Sequence, residues 1–334
     1  MSDVVLDSTA NLSIPLTVFA MTFDPGGAIA DLCAPQLPVT KKFGPYPKYD
    51  KKSLFASGSA KAGVRGQVDE IKESLENGNY ACLDYAKQIV TPVDAIQEYG
   101  NLGINKEQRD TKKIMTFLAI ERESRAHTIF TTPGNYPAAN QAAPLAGTWN
   151  LAASTPLQDG AAAIRGLISQ GRRKVMIMSR AVFDTLKFNA QVLSALGRPG
   201  GQTDREISQA TKADIARMFE VDDVLVSDLK LNTANDAQTM ALDYVWNAKH
   251  VAVVVAPLAS DLTGDALAFA ITFRYLRQNL PEMSMGEIPV SAVIRRWFDN
   301  NEGAVGSWRT LGTYAEDISI TAPDAGFLIT NVIP

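Results

Sequence analysis

The sequence predicts an α+β fold, and three stretches carry that prediction. Residues 104–130 form one long amphipathic run without Gly or Pro. Residues 290–333 read as strands broken by turns at Asp299 to Gly306 and Pro323 to Gly326. Between them, residues 158–256 alternate helical and strand-like segments. A long helix laid across a long hairpin makes a two-layer α+β unit, and the middle block adds a mixed α/β domain.

Taken in order, residues 1–20 mix Ser, Thr, Asn and Asp with isolated apolar residues and show no clean period, which reads as an extended arm. Ala28 to Leu32 follow Pro25-Gly26-Gly27 as a short helix. Residues 35–90 come next. Their first limb alternates Pro, aromatic and Lys residues, and Pro45 and Pro47 exclude a central strand. Their last limb, Tyr80 to Val90, has strand propensity. The middle is polar and rich in Gly and Ser. Two extended limbs around a polar centre read as a protruding hairpin. A loop of this length with so little apolar content needs a partner to order it.

The helix of residues 104–130 places Ile114, Phe117, Leu118, Ile120 and Ile129 on one apolar stripe, with Met115 and Ala126 beside it. Charged residues, Glu121, Glu123 and Arg125 among them, are assigned to the open faces. Glu121 and Arg125 stand four apart with the acid first, the favourable order. Asn105 caps the start and Pro133-Gly134 stops the run.

In the middle block, Asp159 to Ser169 reads as a helix with Asp159 as cap. Lys174 to Met178 is a buried strand, and Ser179 caps the helix after it. Lys212 to Phe219 is a helix and Val224 to Val226 a strand. Tyr244 to Ala256 is a further strand region. In the tail, Val290 to Phe298, Trp308 to Ile320 and Phe327 to Ile333 are strands.

Composition removes several function classes. The net charge is -4 with both signs mixed, against a dedicated nucleic-acid binder. Two cysteines without a CxxC and two histidines argue against a disulfide framework or a zinc site. The turn after Lys174 to Met178 lacks the glycine a phosphate needs, no GxSxG elbow occurs, and Asp222, Asp223 and Asp228 lack calcium-loop spacing. These three acids read as a solvated edge, and His127 as a packing or interface residue. No catalytic, cofactor or metal site is expected. Phe43, Tyr46, Tyr49 and Phe55 could stack on bases among Lys41, Lys42, Lys48, Lys51 and Lys52. They fit better as a ribbon on a neighbour's acidic surface, with aromatics for contact and lysines for steering.

The order of these parts resembles a known family. KVMIMSRAVFDTLKFNAQVLSAL (174–196), DDVLV (222–226), RESRAHTIFTTPGNYPAAN (122–140), Arg295-Arg296-Trp297 and the closing APDAGFLITNVI resemble segments of tailed-phage major capsid proteins with the Hong Kong 97-type (Johnson) fold. The resemblance implies an N-terminal arm (1–34) and an E-loop hairpin (35–90). It implies a peripheral domain (91–157 and 288–322) with the spine helix at 104–130, and an axial domain (158–287 and 323–334). It further implies a non-enzymatic subunit that self-assembles through pentameric and hexameric capsomers into an icosahedral head. Scaffolding, portal and decoration proteins are the implied partners. Packaged double-stranded DNA would be met by proximity only, without a membrane, in a virion assembled in the bacterial cytoplasm. The alternatives are an encapsulin-like compartment shell or, in a different class, an α/β enzyme acting on a small polar substrate.

Overall fold

The structure, a computed structural model, describes residues 11–48, 76–103, 105–197, 209–234, 239–262, 266–277, 291–302 and 305–334. Two sheets organise it. The larger has six strands, in the order Asn11–Leu12, Ala292–Asp299, Ser307–Ile320, Ala270–Tyr275 and Gln36–Val39, with Leu83–Pro92 also paired to Ser307–Ile320. The strand Ser307–Ile320 is its centre. It runs antiparallel to Ala292–Asp299, to Leu83–Pro92 and to Ala270–Tyr275.

The long helix, Lys106–Thr131, lies across this sheet. The Asn105 side chain accepts from the backbone N–H groups of Glu107 and Gln108, satisfying two of the free donors at a helix start. Ile114, Met115 and Leu118 pack with Ala292, Ile294 and Tyr314. The helix sits close because position 312 is glycine. A Cβ there would stand 2.5 Å from Ile114 Cγ2.

The smaller sheet has five strands, in the order Gln141–Ala142, Gly326–Ile329, Val251–Val255, Lys174–Met178 and Asp223–Val226. Its centre, VAVVV, is buried at every position. Strands buried on both faces read as continuous apolar runs rather than alternating ones. Ser179 caps the following helix, Arg180–Lys187, by accepting from Val182 N–H. Phe130, Trp246 and Phe269, packed ring against ring, join the end of the long helix to this part of the core.

Several expectations meet corrections here. Ile14–Thr22 is a helix rather than an extended arm, with Pro15 in its first turn. Proline's fixed φ suits that position. Leu16 and Ala20 bury against the long helix, and Thr17 exchanges hydrogen bonds with the backbone of Ile294. Gln36–Val39 and Leu83–Pro92, expected as limbs of the protruding hairpin, are strands of the six-stranded sheet. Ala270–Tyr275, expected with the middle block, belongs to that sheet as well. The helix expected from Asp159 spans Pro156–Gly166, and Asp159 is not its cap. Its buried carboxylate accepts from Trp149 Nε1 and Leu145 N–H.

Candidate assembly surfaces

The ribbon is two short antiparallel strands, Phe43–Pro47 and Asn77–Ala81. Its base is fixed by aromatic packing. Tyr46 and Tyr80 close on Phe273, with ring centroids at 5.0 and 4.6 Å. Gly78 leaves room for the Tyr46 ring, since a Cβ there would come within 2.3 Å of it. Burial pushes the Tyr46 phenol above its ordinary pKa, and Asp317 adds to the shift. Tyr46 is therefore core of its own subunit and not an outward contact, which corrects the expectation from sequence. Alternation explains it: Phe43, Pro45 and Pro47 face out while Tyr46 faces in.

The ribbon lysines divide. Lys42 pairs with Asp84, which also takes Arg277 at 3.0 Å, so its charge is met inside the chain. Lys41 and Lys48 are exposed, and Phe43 is 76% exposed. Tyr49, Lys51, Lys52 and Phe55 lie outside the described residues. What remains available to a neighbour here is Lys41, Phe43 and Lys48.

The long helix divides in the same way. Ile114 and Leu118 are buried and Ile120 is half-buried, but Phe117 is 47% exposed on another face. At 3.6 residues per turn, Phe117 stands about 60° from Ile114 on the far side from Leu118, which places it beyond the sheet contact.

Two carboxylates are the joints of the molecule: Glu123, assigned from sequence to an open face, and Glu316, which the sequence did not single out. Glu123 is buried. Its Oε1 accepts from Ile29 and Ala30 N–H at 2.9 and 2.7 Å, and its Oε2 accepts from Trp246 Nε1 at 2.6 Å. It ties the N-terminal segment, the long helix and the Trp246 loop together. Burial raises its pKa, opposed by these hydrogen bonds. Its assignment to an open charged face is thereby overturned. The signal was present in the spacing Glu123, Ala126, Phe130, three and four apart on one face.

Glu316, on the central strand, is fully buried and receives three arginines. Arg122 Nε, Arg125 Nη2 and Arg274 Nη1 stand at 3.2, 2.8 and 2.9 Å. Arg122 also meets Asp31, and Arg125 meets Glu121 at 3.4 Å, the expected pair. His127 meets Trp246 edge-on at 5.5 Å. Asp223 and Asp228 pair with Arg173 and Arg180, while Asp222 accepts from Lys174 N–H. Each of the three acids has its own local partner. Among the described residues no group of three or more His, Cys, Asp or Glu side chains could hold a metal, and no helix is long and apolar enough to cross a membrane.

A long helix across a sheet with an extended ribbon at its side, beside a second α/β layer, is the Hong Kong 97-type (Johnson) arrangement, and solved structures share it. A phage-related protein from Bordetella bronchiseptica RB50 is similar with a TM-score of 0.70 and 16% identity, over 97% of this chain and 99% of that one. The capsid of an empty GTA particle is similar with a TM-score of 0.54 and 11% identity, over 93% and 92%. The holo-SrpI encapsulin of Synechococcus elongatus PCC 7942 is similar with a TM-score of 0.53 and 11% identity, over 93% and 89%. In sequence, the chain is 24% identical to the major capsid protein of Pseudomonas phage JBD67 over 325 residues, 95% of this chain and 96% of that protein. No family model matches the chain. Together these findings show a fold shared with a phage-related protein, a particle capsid and an encapsulin, and a sequence similar over most of its length to a phage major capsid protein.

Proposed function

We propose that the chain is the repeating subunit of a phage head and that its activity is self-assembly. The observation that carries this reading is the full-length match to a phage major capsid protein, 95% of this chain against 96% of that one, joined to a shared fold. In this reading residues 91–157 and 288–322, joined by the Ala270–Tyr275 strand of the six-stranded sheet, form the peripheral domain, and the rest of 158–287 with 323–334 the axial domain. The ribbon reaches a neighbour through Lys41, Phe43 and Lys48, with Tyr49, Lys51 and Lys52 continuing it. Copies close into pentameric and hexameric rings. Closed rings multiply contacts that are individually weak. Scaffolding, portal and decoration proteins are the expected partners. DNA is enclosed by proximity, and assembly takes place in the bacterial cytoplasm. Similarity to an encapsulin, at nearly the same TM-score as the GTA capsid, leaves the fold open to a cargo shell. The phage relative in sequence favours the virion.

Sedimentation velocity of the purified chain tests the reading. A fast boundary of closed particles is expected, and a boundary at one small oligomer at every concentration would overturn it. Nuclease treatment followed by mass spectrometry of particles from infected cells separates the two shells. Packaged DNA supports the virion, and a stoichiometric cargo enzyme supports the compartment.

A further inference from the structure

A cavity of about 200 Å³ lies where the Ile14–Thr22 helix, the long helix and the six-stranded sheet meet. Its apolar wall is Met21, Phe23, Met115 and Leu118, and its polar wall holds Arg274 from the sheet and Arg122 from the long helix. The acids that line it, Asp24, Asp31 and Glu123, are all engaged. Asp24 accepts from Gly26 N–H at 2.8 Å. Asp31 takes Arg122 and, at 2.7 Å, Gln36 Nε2. Glu123 holds two amides and an indole. Arg274 is only half engaged. Its Nη1 donates to Glu316 at 2.9 Å, while its Nε is sealed from solvent without a hydrogen-bond partner. Among the described residues nothing accepts from its Nη2. Nε and Nη2 make up the forked edge of a guanidinium, which grips a planar oxyanion through two parallel bonds. Of the three arginines on Glu316, Arg274 alone is held below its ordinary pKa, by burial first.

We propose that this cavity binds a small organic monocarboxylate with a compact apolar body. The carboxylate lies on the Nε and Nη2 edge of Arg274, and the body lies against Met21, Phe23, Met115 and Leu118. A buried donor left unpaired is costly, and a carboxylate oxygen removes that cost. Water meets the donor but leaves the apolar wall uncovered. Size sets the scale of the ligand. An apolar cavity of about 150 Å³ takes benzene, so about 200 Å³ holds such a ring with one carboxylate group. Charge sets its sign and number. A cation would face Arg122 and Arg274, and a phosphate dianion would face the carboxylates of Asp24, Asp31 and Glu123. A single negative charge suits one incompletely paired guanidinium. The site lies within one subunit and does not depend on the shell reading. A bound carboxylate would tie the Ile14–Thr22 helix to the sheet.

Benzoate is the probe, titrated into the full-length chain by isothermal calorimetry. Saturable binding of one benzoate per chain is expected. Benzyl alcohol keeps the ring without the charge, and inorganic phosphate keeps charge without the ring. Each should bind at least tenfold more weakly. Arg274→Gln should weaken benzoate binding at least tenfold. That change also touches the Glu316 pairing, so Ala119→Leu serves as a second variant. Ala119 lines the cavity from a half-buried position on the long helix, and leucine there fills space while every charge stays. Ala119→Leu should abolish benzoate binding and leave the circular dichroism spectrum unchanged. Absence of saturable benzoate binding, equal binding of benzyl alcohol, tighter binding of phosphate, or undiminished benzoate binding by either variant would each overturn the proposal.

Discussion

A carboxylate sealed from water is tolerated only when its oxygens are occupied, and Glu123 meets that condition with two backbone amides and an indole. Removing it strands three buried donors. Glu123→Ala is expected to cost on the order of 3 kcal/mol in the unassembled subunit, while Glu123→Gln, which keeps one oxygen acceptor, costs less. Urea unfolding followed by circular dichroism measures both, and equal costs would place the stability in packing alone. His127 gives a pH test. Burial first, and the nearby His250 second, hold its pKa below the ordinary 6.5. The folded state then binds fewer protons than the unfolded one, so stability is present above about pH 6.5 and falls as pH drops below it. The neighbouring Glu123, with its raised pKa, works in the opposite sense above its ordinary 4.5. Comparing the same chain with and without His127 cancels that contribution. His127→Phe should lose less stability between pH 6.5 and 5 than the unsubstituted subunit, and a steeper loss would contradict the assignment.

At the scale of elements, two adjacent residues on the long helix have different fates. Leu118 is locked beneath Tyr314 and Ile294, and Leu118→Ala is expected to cost about 2–5 kcal/mol. Phe117→Ala changes monomer stability by about 0.5 kcal/mol or less, because its ring lies at the surface. Thermal unfolding of the two variants compares them directly. Much of this level was legible in sequence. The helix and its Asn105 cap, the Lys174–Met178 strand with its Ser179 cap, and the long tail strand all follow from local period and capping. What local period could not show is which side of the helix each partner occupies. The buried face turns from Ile114 and Leu118 under one sheet to Ala126 and Phe130 under the other. A single stripe drawn by hydrophobicity therefore took in Phe117 and left out Glu123. The Ile14–Thr22 helix was hidden because its apolar residues surround it without a one-sided stripe, and the buried ones, Leu16 and Ala20, find their partners on the long helix about 100 residues away and on the Ala292–Asp299 strand about 280 away. Tyr46 reads as a contact residue until Phe273 arrives from the far end of the chain.

At the scale of the whole molecule, the joints and the open surfaces lie apart. Glu316 gathers arginines from the helix and from a neighbouring strand, which fixes the subunit as a unit. Lys41, Phe43, Lys48 and Phe117 are exposed and, among the described residues, take no part in these joints. Exposed charge of this kind is screened over about 8 Å at physiological salt, so assembly should slow as salt rises. Reversing Lys48, Lys51 and Lys52 to Glu should slow it further and leave the helix content of the subunit unchanged. Light scattering and circular dichroism read the two effects, and normal scattering growth would remove these lysines from the contact.

The central claim is that this chain builds a closed shell, and electron microscopy of the purified protein tests it most directly. The account predicts uniform, hollow, closed particles made of rings of five and six copies. A field of discrete small oligomers under the same conditions would contradict it.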